Sequence, residues 1–212
     1  MSGRVNKKDK HDRIIQAGLK VFARDGYSKA KIIDIAESAG IGKGTVYEYF
    51  SSKKELFLNV FSYVKELILS KQWEVLDEGL NPLDALKRIA KTNADVYTEQ
   101  SMKMRFLAQF RAECIRRDTD GEFSRSLNEY HEEIIALISR YVNSGIEEGS
   151  IRPTDVGIVS ENYHTALDGL GVQYLLNNGE MDLNSAVISL YEIFIKGTGT
   201  FTGRYADLSE ET

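Results

Sequence analysis

GYSKAKIIDIAESAGIGKGTVYEYFSSKKELF, residues 26–57, contains two short helix patterns separated by a glycine-containing turn. In the first pattern, apolar and small residues recur at the spacing of one helix face, and Gly40 follows where the chain can turn sharply. In the second, Val46 and Phe50 are four residues apart, so both would face a core while their neighbours face outward. Two helices joined in this way are typical of a helix-turn-helix.

An amphipathic helix is predicted to precede this stretch, beginning near residue 10. Gly26 is expected to end it, because glycine readily adopts the left-handed conformation common at helix C-termini. Its small-to-apolar stripe consists of Ile14, Gly18, Val21 and Phe22. The sequence therefore predicts a head of three helices.

Charge is distributed unevenly along the chain, whose formal net charge is −5. Residues 1–54 hold 12 Lys and Arg against 6 Asp and Glu, a net charge of +6, whereas residues 55–212 hold 15 against 26, a net charge of −11. Phosphate contacts need local Lys and Arg rather than a basic average. The split therefore favours a polyanionic partner for the first segment alone, with chance surface variation as the alternative.

The same stretch resembles the DNA-binding head of the tetracycline-repressor-like (TetR) family of bacterial regulators. The resemblance covers about residues 10–60 and rests on several elements in a fixed order. These elements are Gly26-Tyr27, Asp34-Ile35-Ala36, Ala39-Gly40, Lys43-Gly44-Thr45, Tyr47, Phe50, Lys53 and Leu56. The resemblance implies a helix-turn-helix DNA-binding domain at 1–53 and a helical effector-binding and dimerisation domain at 54–212.

The resemblance also implies how the head would contact double-stranded DNA. Lys43, Gly44 and Thr45 would enter the major groove. Tyr47 and Tyr49 would hold phosphates, and Lys53 would touch the DNA backbone.

One departure from the family pattern lies at the start of the second helix, where Ala30-Lys31 replaces the usual hydroxyl residues. Ser28 is the predicted replacement cap, and Lys31 is predicted to contact a phosphate through a charged hydrogen bond. The basic arm before residue 11 would either lie along a minor groove or remain solvated and disordered. Its cations are Arg4, Lys7, Lys8 and Lys10.

The remainder of the chain predicts an all-α fold. Ser52 and Glu55 have the spacing of a capping box and would start a long helix that joins head to body. This helix is expected to transmit movement between the two. Helices are expected near 54–76, 83–98, 101–117, 122–147, 155–177 and 183–198. Short loops between them favour one six-helix bundle.

The last two helices carry broad apolar faces. The resemblance implies that this pair forms a four-helix interface in a twofold homodimer, with Gly169 and Gly171 allowing close approach; an ordinary intrachain core is the alternative. A dimer would also let two heads read a palindromic operator. The predicted interface residues are Leu167, Leu170, Tyr174, Val187, Leu190 and Phe194.

A mixture of aromatic and flexible residues in the body could line an adaptable pocket for an apolar or amphipathic small-molecule effector, although such residues usually pack in a core. The candidates are Trp73, Tyr97, Met104, Phe106, Phe110, Tyr130, Tyr163 and His164.

Other classes of function find little support. GIGKGT lacks the spacing of a phosphate-binding loop, and no catalytic constellation or cofactor motif can be placed. Glu161, His164 and Asp168 share a helix face, but a satisfied buried histidine is favoured over a metal. No apolar run is long enough to cross a membrane, and the single Cys114 excludes an intrachain disulfide.

The sequence thus predicts a cytoplasmic, dimeric, ligand-responsive transcriptional regulator, most simply a repressor, and not an enzyme. The rival hypothesis is an effector-independent DNA-binding or architectural protein whose helical body binds another protein.

Overall fold

The structure, a computed structural model, describes residues 2–74, 76, 79–117 and 121–198. This part of the chain is helical and contains no β-strand, which confirms the predicted all-α fold. The helices are α1 Ser2–Lys29, α2 Ile32–Ala39, α3 Lys43–Tyr49, α4 Lys53–Glu74, α5 Pro82–Glu99, α6 Ser101–Arg117, α7 Glu122–Glu147, α8 Val156–Leu176 and α9 Leu183–Thr198.

The first helix begins earlier than the apolar pattern predicted. It starts at Ser2, so residues 2–10 are helical rather than an extended or disordered arm. Lys and Arg are good helix formers, and an exposed helical turn needs no apolar stripe. The side chain of Arg4 lies outside the described residues. Gly26 interrupts the helix as expected, with φ 70° and ψ 174°, a backbone conformation that glycine tolerates.

The second helix begins without the predicted hydroxyl cap. Its N-cap residue is Lys31, whose side chain makes no capping hydrogen bond. Ser28 does not cap the helix; its hydroxyl instead donates to Glu113 of α6, at 3.3 Å. At the other end Gly40 has φ 64° and ψ 39°, and the next amide, Ile41 N–H, donates to the carbonyl of Ala36.

The fourth helix begins at a capping box. The backbone N–H of Glu55 donates to the hydroxyl of Ser52, at 3.0 Å. The Glu55 carboxylate accepts from the backbone N–H of Ser51, at 2.7 Å. In a regular capping box this donor would be the N–H of Ser52, one residue later.

Head and body share one continuous core. Phe22 and Tyr27 of the head each lie with their ring centres 4.9 Å from that of Phe57 on α4. Phe57 in turn contacts Phe106 and Phe110 of α6, at 5.3 and 5.1 Å. Because α1 also packs against α6, the boundary predicted after residue 53 does not coincide with a gap in the packing.

No helix in the described ranges combines the length and apolar character needed to span a bilayer.

Candidate DNA-binding surface and effector cleft

The third helix presents one face to the core and the other to solvent. Val46 and Phe50 are 0% and 2% exposed, as their spacing predicted. Tyr47 is 47% exposed, and Lys43 is also on the exposed side. A Cβ added at Gly44 would meet nothing within 4 Å, so the start of α3 is open to an approaching ligand.

The other predicted DNA-contacting side chains of the helix-turn-helix differ in their exposure to solvent. Thr45 and Tyr49 are half-buried, and the Tyr49 ring lies 6.5 Å from that of His11 on α1. Lys31 is exposed at the beginning of α2. These positions leave Lys31, Lys43 and Tyr47 as the side chains with the most freedom to reach DNA.

Lys53, predicted to touch the DNA backbone, makes its contacts within the protein. Its ammonium donates to the carbonyl oxygens of Tyr27 and Ala30, at 2.8 and 3.1 Å, and lies over the Tyr27 ring. Partial burial lowers the pKa of Lys53, while the charge of Glu113 opposes that shift. The sequence could not separate the two roles, because Tyr27 lies 26 positions earlier in the chain.

Two side chains of α6 lie against the last turn of α1. Glu113 is only 3% exposed and accepts the Ser28 hydroxyl. A Cβ added at Gly26 would come within 2.8 Å of the Gln109 amide oxygen. Glu113 thus bonds the body to the last turn of α1, and Gln109 packs beside the same turn. No sequence motif marks them, since their partners lie more than 80 positions away.

A cleft of about 370 Å³ lies between α6, α7 and α8. Polar and charged side chains predominate in its wall. The lining residues are Arg111, Leu127, Asn128, Tyr130, His131, Glu161, His164, Thr165 and Asp168.

Asp168 is the centre of the hydrogen bonds in this wall. One of its carboxylate oxygens accepts from the Tyr97 hydroxyl at 2.6 Å, and the other accepts from the Arg111 guanidinium at 2.5 Å. At the rim, His131 contacts the Glu161 carboxylate at 3.1 Å, and its ring centre lies 5.0 Å from that of His164. Arg111 and Asp168 therefore form an ion pair in the wall, and Glu161 lies at the rim beside His131.

Burial shifts the pKa of several groups in the cleft. It lowers the pKa of His164 from 6.5 to about 4; Asp168 opposes this shift, and the nearby His131 and Arg111 add to it. Burial also raises the pKa of Tyr130 and of Tyr97. All three side chains are consequently neutral near pH 7.

Only two of the predicted pocket residues, Tyr130 and His164, line this cleft, and Tyr97 lies directly behind it. Trp73 is 51% exposed and belongs to another part of the surface. The remaining four pack in the core, because aromatic residues at helical spacing fill the space between helices. These are Met104, Phe106, Phe110 and Tyr163.

The potential metal ligands on α8 are engaged in other contacts. Asp168 is held by Tyr97 and Arg111, and Glu161 by His131. The described residues include no group of three or more His, Cys, Asp or Glu arranged to hold a metal ion.

The predicted dimer residues divide into two groups. Leu167 and Val187 are 1% and 0% exposed in the protomer itself and belong to its core. The others are half-buried at the surface of α8 and α9: Leu170, Tyr174, Leu190 and Phe194. The most exposed apolar side chains of these helices lie outside the predicted set: Ile158, Leu176 and Ile193, at 60%, 68% and 66%.

Of the two glycines predicted to allow close approach of a partner, Gly171 has another role. Gly171 admits the ring of Tyr97, because a Cβ there would come within 2.2 Å of a ring carbon. Its close approach is therefore within the protomer. A Cβ at Gly169 would meet nothing within 4 Å, so this position is open.

Comparison with known proteins gives matches over both parts of the chain. Residues 14–60 match the family described as bacterial regulatory proteins, tetR family, and residues 82–195 match the BetI-type transcriptional repressor, C-terminal family. The chain is similar to the fatty acid metabolism regulator protein of Bacillus subtilis, with 21% identity over 192 residues, covering 90% of this chain and 96% of that protein.

Solved structures have the same fold. FadR from Bacillus subtilis in complex with stearoyl-CoA aligns with a TM-score of 0.74 and 20% identity, covering 87% of this chain and 97% of that chain. A transcriptional regulator from Saccharomonospora viridis in complex with choline aligns with a TM-score of 0.76 and 21% identity, covering 88% of this chain and 95% of that chain. With family matches over both its head and its body, this chain belongs to the TetR family of DNA-binding transcriptional regulators.

Proposed function

We propose that the protein is a homodimeric, ligand-responsive repressor. Two copies of α3 bind a palindromic operator, and a small-molecule effector in the cleft between α6, α7 and α8 releases the DNA.

The observation that carries this proposal is the position of α6 between the cleft and the head. Arg111 lies in the wall of the cleft, while Gln109 and Glu113 lie two residues to either side of it. Gln109 packs beside Gly26, and Glu113 accepts the Ser28 hydroxyl. A ligand that moves Arg111 would displace the same helix turn that positions α1. This contact between α6 and α1 is a second connection between body and head, beside the one through α4.

The dimer follows from the size of the recognition helix and from the apolar surface of α8 and α9. A helix of seven residues reads few base pairs, so two heads about one turn of DNA apart are needed for a specific site. Leu176 and Ile193 are exposed and Phe194 is half-buried, so α8 and α9 each present apolar side chains that a second copy would cover.

The effector acts through a difference in affinity. It must bind more tightly to the arrangement in which the two heads no longer match successive major grooves. A coupling free energy of about 1–3 kcal/mol would weaken operator binding roughly 5–150-fold. The similar structures hold ligands of unlike charge, stearoyl-CoA and choline, so the choice of ligand rests on the residues that line this chain's own cleft.

Selection of genomic DNA fragments by the purified protein, followed by footprinting at near-physiological salt, tests the proposal. The expected result is a protected pseudo-palindrome, bound by wild-type protein and lost in Tyr47→Ala. A folded, dimeric protein that enriches no sequence at low salt would contradict it, and the body's protein partner would then become the leading hypothesis.

A further inference from the structure

The cleft holds buried polar groups whose hydrogen-bonding capacity is unused. Tyr130 is 5% exposed and His164 is 6% exposed. Within the described part of the chain neither the Tyr130 hydroxyl nor the His164 ring has a hydrogen-bond partner, and both line the cleft. The polar atoms of both side chains reach the solvent of the cleft, so they are available to a ligand that enters it.

Arg111 has unused donors beside them. Its guanidinium carries five N–H donors, and one nitrogen, Nη1, contacts Asp168. Among the described residues this side chain makes no other hydrogen bond or ion pair. Asp168, by contrast, has both oxygens filled, one by Arg111 and one by Tyr97. Both oxygens of the Asp168 carboxylate thus accept hydrogen bonds, whereas the Arg111 guanidinium keeps N–H donors without a protein partner.

The unused groups favour an acceptor-rich ligand. Arg111 can only donate, and the phenol of Tyr130 and neutral His164 can each donate one proton as well as accept one. A cation would face the guanidinium and would find its only unfilled negative charge at Glu161, which lies at the rim in contact with His131. An anionic oxygen group would accept charge-assisted hydrogen bonds, which are stronger than neutral ones.

We propose that this cleft binds the anionic oxygen group of the effector, a carboxylate or a phosphate. Arg111 supplies the charge, and the Tyr130 hydroxyl and the His164 ring complete the hydrogen bonds. The proposal rests on the function proposed above and names the class of ligand for the same cleft. Asp168 and Tyr97 act as positioning residues, since they fix the guanidinium from behind.

Calorimetry on the full chain tests this, with octanoate, inorganic phosphate and choline chloride as probes at matched ionic strength. Saturable binding of octanoate or of phosphate is expected, and the better of the two identifies the source of the anionic group. Choline is expected not to bind. Saturable binding of choline, or no binding of either anion, would overturn the proposal.

Tyr130→Phe localises the binding to the cleft. The substitution removes a hydroxyl that has no protein partner, so the melting temperature should not fall. Loss of a hydrogen bond to a charged ligand should weaken anion binding about tenfold or more. Tyr141→Phe is the matched control, since Tyr141 is a buried tyrosine of the same helix outside the cleft.

A double variant, Arg111→Gln with Asp168→Asn, removes both charges together and leaves neither ion unpaired. Its anion binding should be lost while its helical content is retained. Wild-type affinity in either this variant or Tyr130→Phe would overturn the proposed site.

Operator release is measured separately with the same probes. If an anion binds the cleft and leaves the operator complex intact, the anion site stands and the proposed effector role fails. If a ligand releases the operator in wild type and in Tyr130→Phe at the same concentration, the effector role stands and the anion site fails.

Discussion

The ammonium nitrogen of Lys53 lies 2.8 Å from the carbonyl oxygen of Tyr27 and 4.6 Å from the centre of its ring. This contact joins the start of α4 to the last turn of α1. Because the Ala30 carbonyl accepts from the same ammonium, one side chain holds together the entry to the helix-turn-helix and the helix that leads into the body.

Lys53→Met should therefore lower the stability of the head rather than remove a phosphate contact. Part-buried carbonyl oxygens would be deprived of their donor, at a cost of about 1–2 kcal/mol in the free energy of unfolding. Thermal unfolding measures this, with Lys31→Met as the exposed control. Unchanged stability together with a weaker salt dependence of DNA binding would instead support a phosphate contact by Lys53.

Lys43→Ala should weaken operator binding without changing the fold, because its side chain is exposed at the start of α3. If Lys43 binds a phosphate, its removal reduces the slope of log K against log salt by about 0.9; if it binds a base, its removal relaxes the sequence preference. A salt titration of operator affinity distinguishes the two. Lys91→Ala, exposed on α5, is the control and should bind like wild type.

Gly171→Ala should destabilise the body. The new Cβ would lie within 2.2 Å of the Tyr97 ring, and that ring is held by the hydrogen bond from its hydroxyl to Asp168. Overpacking of this kind costs about 1–3 kcal/mol. Thermal unfolding of Gly157→Ala supplies the comparison, since the nearest atom to its Cβ is 3.4 Å away. Equal melting temperatures for the two variants would show that Tyr97 moves aside freely.

Ile193→Arg should convert the proposed dimer to a folded monomer. The side chain is 66% exposed in the protomer, so arginine is tolerated there, but a buried, unpaired charge opposes a dimer interface. Sedimentation measures the change in mass. Ile115→Arg is the matched control, because Ile115 is 89% exposed on α6, away from this surface. A dimer that persists in Ile193→Arg would place the interface elsewhere.

His164 should make the protein less stable in acid. Burial lowers its pKa from 6.5 to about 4, so between these values the unfolded chain binds a proton that the folded chain does not. The free energy of unfolding therefore falls as the pH decreases through this range, by roughly 3 kcal/mol in all. In His164→Gln this part of the pH dependence should disappear, as denaturant unfolding at several pH values would show. Parallel curves for the two proteins would contradict the assignment.

Patterns within one helix could be predicted from sequence. The spacing of Val46 and Phe50 places both in the core, and Ser52 is recognisable as a cap. Gly26 and Gly40 are identifiable as breaks because few other residues adopt positive φ. Each of these inferences depends on residues at most four positions apart, where backbone geometry fixes the relation between side chains.

The candidate site could be predicted only in part. The sequence indicates His164 and Tyr130 as pocket residues but not Arg111, since nothing in its neighbourhood distinguishes it from the other arginines of α6. Phe106 and Phe110 fit the same pattern and lie in the core. An aromatic side chain looks the same in sequence whether it lines a cleft or fills a gap between helices.

The sequence by itself determined most of the helices and the family of the head, because these depend on local periodicity, on capping and on residue types in a fixed order. Only the tertiary structure decided that Lys53 turns inward, that Gly171 admits Tyr97, and that Arg111 and Asp168 meet across 57 positions of chain. Such contacts depend on the angles and distances at which helices pack, and those are set by the whole core rather than by any one segment.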